Sequence, residues 1–251
     1  MRSLPFTGRH LRKPQLLLKA CRLNQYLQTL SPAQLSKAMK ISMGLAQKTH
    51  ELIAKWTDVP ESQTMASDSF LGDIYSGLQV QDFSSAERDY ADHTLFILSG
   101  LYGVLRPYDG ICPYRLEMGY KFPDPAFSDL YKYWGHEIAA CLPDKGLIVN
   151  LASEEYVQTV TPFVDASRIV SPKFLTLNPK TGEPTFVVVH AKIARGAFAH
   201  WLIKTGVDDA EAFTKFNDLN YKFHKELTTP QNPVFVCEEF GGKGLSIKKL
   251  V

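Results

Sequence analysis

Apolar side chains recur at helical spacing through the first part of the chain. Leucine and alanine repeat every three or four positions over residues 16–30, which predicts an amphipathic helix. Ser31-Pro32 predicts the end of that helix and the start of the next. Residues 33–56 predict two helices that separate at Ile41-Ser42, with the Ser42 side chain capping the second helix.

Further along, helical spacing alternates with short apolar runs that are typical of strands. No internal repeat or flexible linker interrupts the sequence. The order of elements predicts an α+β or mixed α/β fold: a single compact domain over residues 1–251, with a mixed sheet flanked by helices. Helices are expected over residues 84–93, 129–142, 153–160 and 191–204, and strands over 95–98, 146–151, 168–177, 184–190, 221–227 and 234–240.

Composition excludes several classes of protein. Apolar residues make up 45% of the 251 and charged residues 22%, as in ordinary globular proteins. The apolar runs are too short for a membrane helix, so we expect no membrane partner. Four scattered cysteines predict a reducing compartment, the cytosol. Neither the cysteines nor the seven histidines show the spacing of a metal site, and we expect no metal and no cofactor.

The charge is unevenly distributed although the formal net charge is only +2. Residues 1–50 carry nine Lys or Arg and no Asp or Glu, whereas residues 51–165 carry seven basic and eighteen acidic side chains. Such a chain can fold with one basic face that attracts nucleic acid. Folding can equally intersperse the charges, and both interpretations stay open.

Residues 99–106 (SGLYGVLR) follow a predicted buried strand and place Gly100 three positions before Gly103. Glycines at this spacing permit a loop whose successive backbone amides hold a phosphate, and Arg106 would add a positive charge. The same spacing is also typical of an ordinary tight turn.

Residues 112–121 (CPYRLEMGYK) place Arg115 and Glu117 two positions apart, which is one face of a strand if the segment is extended. Arg115 is then a candidate phosphate ligand that Glu117 orients. A structural salt bridge explains the same pair.

Residues 190–196 (HAKIARG) predict the start of a helix, with Lys192 and Arg195 on one side of it. Cations in the first turn of a helix oppose its dipole, which favours an anion site over a simple solvated face, although both remain open. Residues 150–156 (NLASEEY) join a strand to a helix, and we interpret Ser153 as the helix cap.

Several of these segments together resemble the YaaA family of peroxide-stress proteins. Weaker similarity extends from residue 14 to residue 240. The chain departs from the family over residues 1–13 (MRSLPFTGRHLRK), where members typically have an apolar strand and a Ser-Pro-Ala-Lys motif, so this part is divergent or truncated. The matching stretches are residues 70–78 (FLGDIYSGL), 98–109 (LSGLYGVLRPYD), 113–119 (PYRLEMG), 130–135 (LYKYWG), 149–156 and 191–196 (AKIARG).

The resemblance implies a compact α/β fold with a helix-hairpin-helix-like element, a positively charged cleft, and binding to duplex or branched DNA in the response to hydrogen peroxide. Under this hypothesis Gly100, Gly103 and Arg106 form the hairpin. The cleft is then lined by Arg115, Lys192 and Arg195.

Two functions follow from these residues. The first is a cytosolic DNA-binding protein that recognises the backbone and tolerates sequence. The alternative is an enzyme that acts on a nucleotide or nucleobase, in which Asp73, Glu117 or Glu154 serves as acid or base and the Arg/Lys set holds phosphate.

Overall fold

The computed structural model describes Met1 and residues 11–244. Two compact units interleave along the chain. Most of residues 1–13, the stretch predicted to be divergent, lies outside the described residues, and the single domain over residues 1–251 stays a prediction. The first unit comprises Met1–Phe70, Asp92–Asp144 and Ser153–Phe163, and the second comprises Leu71–Ala91, Lys145–Ala152 and Val164–Val251.

The predicted mixed α/β class is confirmed, because helices and short strands alternate along the described chain. The helices are α1 (Leu17–Gln28), α2 (Pro32–Met39), α3 (Met43–Lys55), α4 (Ala66–Ser69), α5 (Asp73–Leu78), α6 (Ser85–Thr94), α7 (Leu130–Trp134), α8 (Glu137–Ala140), α9 (Glu154–Val157) and α10 (Val188–Thr205). The strands are β1 (Thr64–Met65), β2 (Ile97–Ser99), β3 (Gly103–Leu105), β4 (Gly110–Ile111), β5 (Ile148–Val149), β6 (Ile169–Val170), β7 (Lys173–Leu177), β8 (Pro184–Thr185), β9 (Lys222–Phe223) and β10 (Val234–Cys237).

Helices α1–α3 begin and end as their sequence predicts. The Ser31 side chain accepts a hydrogen bond from the backbone amide of Gln34, and the Gln34 side chain accepts one from the backbone amide of Ser31, which makes a capping box. Ser42 accepts from the Leu45 amide at the start of α3. The two caps therefore confirm the predicted breaks between α1, α2 and α3.

A four-stranded mixed sheet in the second unit has the order β8-β7-β10-β9. Strands β7 and β10 are parallel, with Val234 opposite Lys173 and Cys237 opposite Thr176, while the two outer pairs are antiparallel. The predicted turn over residues 178–182 joins β7 to β8. The mixed sheet predicted from the sequence is thus confirmed for this part of the chain.

The interior of the second unit is aromatic, and α10 contributes to it through Phe198. This ring packs with Phe174, Phe216 and Phe235, at centroid separations of 4.9–5.8 Å. The opposite side of α10 crosses α5 closely. A Cβ atom at Gly196 would lie 1.8 Å from the Ile74 carbonyl oxygen, so only glycine permits this approach.

Some predicted elements are wrong in extent. Residues 112–121 form a loop, so the condition under which Arg115 and Glu117 would share one face of a strand is not met. The strand predicted over residues 184–190 is shorter than expected. Only β8 (Pro184–Thr185) is a strand, and α10 already begins at Val188, within the same apolar run. The helix predicted over residues 129–142 is divided at Gly135, whose φ of 54° ends α7. Ser153 precedes α9 but its side chain makes no capping hydrogen bond.

Candidate functional site

The loop with Gly100 and Gly103 is the turn of a β-hairpin. Strand β2 pairs antiparallel with β3, with Ser99 opposite Gly103. The helix-hairpin-helix-like element implied by the family resemblance is therefore not what this segment forms, because strands and not helices flank the turn. Its apolar sequence explains the difference: residues 100–105 are all buried.

Both glycines serve close packing. A Cβ atom at Gly100 would lie 2.5 Å from the Leu116 carbonyl oxygen, and one at Gly103 would lie 2.9 Å from the Trp134 ring. Gly103 also has a φ of 72°, which disfavours other residues. Because the turn is buried, this geometry supports the tight-turn interpretation better than an exposed phosphate loop.

Arg106 follows this hairpin and is held at its backbone. Its amide donates to Asp109 Oδ2 at 2.8 Å, and its guanidinium lies 5.6 Å from the centroid of the Phe96 ring. Its Nε atom is buried and has no hydrogen-bond partner among the described residues. Arg106 thus sits at the margin of the interior.

Sequence reasoning missed the cation that organises this region, Arg12. Its guanidinium makes two hydrogen bonds to Asp92, at 2.8 and 2.9 Å, and one to Asp109 at 2.9 Å. Both carboxylates are buried. Burial raises the pKa of Asp109, while the Arg106 amide and Arg12 oppose that rise. The only sequence signal was an arginine in an otherwise divergent segment.

Arg115 and Glu117 do meet, although no strand carries them. Arg115 Nη2 lies 3.5 Å from Glu117 Oε1, and both side chains are partly exposed. Burial is the main cause of a raised pKa at the neighbouring Tyr120, and Glu117 adds to it. The Arg115 Nε atom is buried without a hydrogen-bond partner among the described residues. Geometry alone fits the structural salt bridge as well as a site for an anion.

Glu154 is exposed at the start of α9. Its neighbour Glu155, and not Glu154, contacts the loop that contains Glu117, since Glu155 Oε1 accepts a hydrogen bond from the Gly119 amide at 2.8 Å. The role of Glu154 as an acid or base stays a prediction, and the contact made by Glu155 was not predicted from the sequence.

The remaining predicted residues, Asp73, Lys192 and Arg195, belong to the second unit. Asp73 is the first residue of α5 and is half-buried. Lys192 is exposed and Arg195 is half-buried. Because α10 begins at Val188, the two cations lie in its second turn and not in its first, where the helix dipole acts less strongly. The predicted conflict with the dipole is wrong for this reason.

An acid-free stretch in the first unit carries an excess of positive charge. Residues 11–50 contain seven Lys or Arg and no Asp or Glu. Arg12 and Lys19 form ion pairs with acidic residues outside this stretch. Lys19 Nζ lies 2.8 Å from Glu137 Oε1. The basic residues whose side chains are exposed, on α1–α3 and their flanks, are Lys13, Arg22, Lys37, Lys40 and Lys48. The uneven charge of the sequence was the signal for this surface.

Among the described residues, no group of three His, Cys, Asp or Glu side chains could hold a metal ion. The absence of metal and cofactor nevertheless stays a prediction. No helix in the part of the chain that the structure describes has the length and apolar character needed to cross a membrane.

Comparison with known proteins gives one family. The family model described as "Peroxide stress protein YaaA" matches residues 2–227. A UPF0246 protein of Salinispora tropica is 54% identical over 249 residues, which cover 99% of this chain and 95% of the relative. UPF0246 proteins of Ruegeria sp. and Tolumonas auensis are 37% and 36% identical, over 89% and 92% of this chain and 90% and 91% of the respective relatives.

Proposed function

The chain belongs to the peroxide stress protein YaaA family, and from this premise we propose that it acts in the cytosol by binding DNA through contacts to the phosphate backbone. The family is that of a peroxide stress protein, which agrees with a role in oxidative stress. Binding to DNA, duplex or branched, is the more specific part of the proposal.

The surface formed by the exposed cations of α1–α3 and their flanks is the observation that carries this proposal. These cations belong to residues 11–50, which contain no Asp or Glu. Exposed lysines and arginines gather phosphates through long-range attraction and the release of counterions from DNA. We therefore propose that Arg22, Lys37, Lys40 and Lys48 make the main phosphate contacts, and not the buried glycine turn.

The chemistry of this surface favours recognition that tolerates sequence. Lysine contacts to phosphate oxygens carry no information about the bases. Capped helices hold the lysines in place, so that the charges are presented by an ordered scaffold. We therefore expect similar affinity for unrelated duplexes.

The test is a titration of duplex, single-stranded and four-way-junction DNA across a salt series. We expect a log–log slope that corresponds to about four to eight phosphate contacts. In the triple variant Lys37→Gln, Lys40→Gln and Lys48→Gln, affinity should drop for every sequence and the slope should decrease by about two to three.

A matched control is available in the second unit. Lys180, Lys215 and Lys225 are also exposed, and their replacement by Gln removes the same total charge. This control should retain most of the affinity. An equal loss of DNA affinity in both triple variants would show that binding depends on the net charge of the protein and not on these three positions. An affinity that does not change with salt would refute the proposal.

An enzymatic function is the alternative, favoured by the buried and unpartnered Nε of Arg115 beside Glu117 and Tyr120. This group could hold a phosphate or carboxylate of a small substrate, with Glu117 as the acid or base. Incubation with nucleotides and analysis by mass spectrometry tests it. Product that disappears in Glu117→Gln would support the enzyme.

A further inference from the structure

A chain of polar side chains joins a buried thiol to a half-buried imidazole within the second unit. Cys237 on β10 lies opposite Thr176 on the parallel strand β7. Thr176 Oγ1 is 3.5 Å from Cys237 Sγ and 2.9 Å from Nδ1 of His190, in the first turn of α10. Cys237 and Thr176 are buried, with 1% and 8% of their surface exposed.

The fourth group is Tyr221, whose hydroxyl is not satisfied. Tyr221 is fully buried, and its hydroxyl lies beside Cys237 and Thr176 without a hydrogen bond of normal geometry to either one. Burial and the neighbouring Cys237 raise the pKa of Tyr221, so the hydroxyl keeps its proton and remains a donor. A buried donor without a well-placed acceptor costs stability, and an oxygen atom added to the Cys237 sulfur would supply an acceptor beside this hydroxyl.

We propose that Cys237 is a site of reversible oxidation by hydrogen peroxide, activated through Thr176 by His190, with Tyr221 donating a hydrogen bond to the oxygen that the sulfur gains. This goes beyond DNA binding and does not depend on it. The thiolate attacks one peroxide oxygen, an S–O bond forms and the O–O bond breaks. Sulfur is oxidised by two electrons to the sulfenic acid and peroxide is reduced to water.

The proton balance uses the same chain. Cys237 donates to Thr176, and Thr176 donates to His190 Nδ1, so the thiol proton passes to the imidazole and then to the departing hydroxide, which leaves as water. Burial lowers the pKa of His190 and keeps its ring neutral near neutral pH, the form that accepts a proton. The His190 ring stacks on the Phe240 ring with 4.1 Å between their centroids. Both residues are half-buried, so the series of polar side chains reaches solvent at His190.

Cys112 supplies an internal control in the same molecule. It is buried to a similar degree, with 4% exposed, but its thiol donates to the backbone carbonyl of Thr57 at 3.3 Å. A carbonyl cannot take up the proton, and burial raises the pKa of the Cys112 thiol. The two cysteines are both buried but have different hydrogen-bond partners, so a faster reaction at Cys237 would be attributed to its partners and not to greater exposure.

The experiment exposes the purified full chain to a small excess of hydrogen peroxide with a cyclic 1,3-diketone that traps sulfenic acid. Peptide mass spectrometry then follows each of the four cysteines separately. We expect Cys237 to be labelled at least about tenfold faster than Cys112. A Cys237 rate no faster than that of Cys112 would overturn the proposal.

Two substitutions at one position test the relay. Thr176→Val keeps the branched shape and removes the hydroxyl, and should slow Cys237 labelling about tenfold. Thr176→Ser keeps the hydroxyl and should retain the rate within about threefold. Thermal melts establish that both variants are folded, and His190→Gln, which should slow labelling similarly, replaces Thr176→Val if that variant does not fold. Unchanged labelling in the folded variant that lacks the hydroxyl or the imidazole would refute the relay.

Discussion

The two units organise their interiors in different ways. In the first unit, charged groups lie inside: Arg12 holds the buried carboxylates of Asp92 and Asp109. In the second unit, rings fill the interior around Phe198, and α5 and α10 cross closely at Gly196. Both interiors are therefore largely apolar, and the first unit differs by adding a buried ion-pair network to its apolar side chains.

This difference predicts which substitutions each unit tolerates. A charge network fails when one partner is removed, because the remaining charge is left buried. A close-packed interior fails when volume is added or lost, because neighbouring atoms relax only partly. The surfaces differ as well, since α1–α3 carry cations without nearby acids in sequence while the second unit mixes both signs.

The largest effect is expected for Gly196→Ala in the second unit. The added Cβ would lie 1.8 Å from the Ile74 carbonyl oxygen and 2.7 Å from the Leu78 amide nitrogen. Both are backbone atoms, so α5 must move away from α10. We expect a loss of at least about 3 kcal/mol in the free energy of unfolding, measured by urea titration.

Gly44→Ala is the control for this substitution. Gly44 lies in α3, and a Cβ there meets no atom within 4 Å. Since alanine favours a helix over glycine, stability should stay level or increase by about 0.5 kcal/mol. Equal stability of Gly196→Ala and the wild type would mean that the helices do not cross at this distance.

Removal of the Arg12 charge should have the next largest effect, and it acts on the first unit. Arg12→Met keeps most of the side-chain volume but leaves Asp92 and Asp109 without their cation. We expect a loss of about 3 kcal/mol at pH 7, at the lower end for a buried pair because Arg12 is itself partly exposed. Lys13→Met, at an exposed position, should change stability by less than about 0.5 kcal/mol.

The stability lost in Arg12→Met should depend on pH, in a direction set by the pKa of Asp109. Burial already raises the pKa of Asp109, so the folded protein binds that proton more tightly than the unfolded chain. The ionised form of Asp109 therefore costs stability above its folded pKa, and Arg12→Met raises that pKa further. The difference from the wild type should shrink as the pH falls from 7 into the acidic range in which Asp109 becomes protonated. A constant difference would show that Arg12 acts through packing alone.

The helices of the first unit could be predicted from sequence because their determinants are local. Ser31 and Ser42 cap the helices that they precede, and neither cap needs a distant partner. The extent of later elements could not be predicted as well. The apolar run before α10 fits a strand or a buried helix equally, and the local sequence does not decide between them.

The candidate site shows the same limit. Gly100 and Gly103 stand out in the sequence, but their spacing cannot distinguish an exposed loop from a turn packed against Leu116 and Trp134. Arg12 is 80 positions from Asp92 and 97 from Asp109, so no local sequence pattern predicts that these residues are in contact. The acid-free stretch, by contrast, is visible in the sequence because a charge count needs no contact map.

The smallest effect is expected for Lys192→Gln, which asks whether the surface of the second unit takes part in DNA binding. Lys192 is exposed in the second turn of α10, where its charge matters little to the helix dipole. Stability should change by less than about 0.5 kcal/mol. If Lys192 contacts a phosphate, the salt slope should decrease by about one, as for the matched single variant Lys37→Gln on α2. If the contacts lie on α1–α3 alone, as we expect, Lys192→Gln should bind DNA like the wild type while Lys37→Gln binds more weakly. A larger loss for Lys192→Gln than for Lys37→Gln, measured at the same salt concentration, would reverse the assignment and place the main DNA contacts on the second unit.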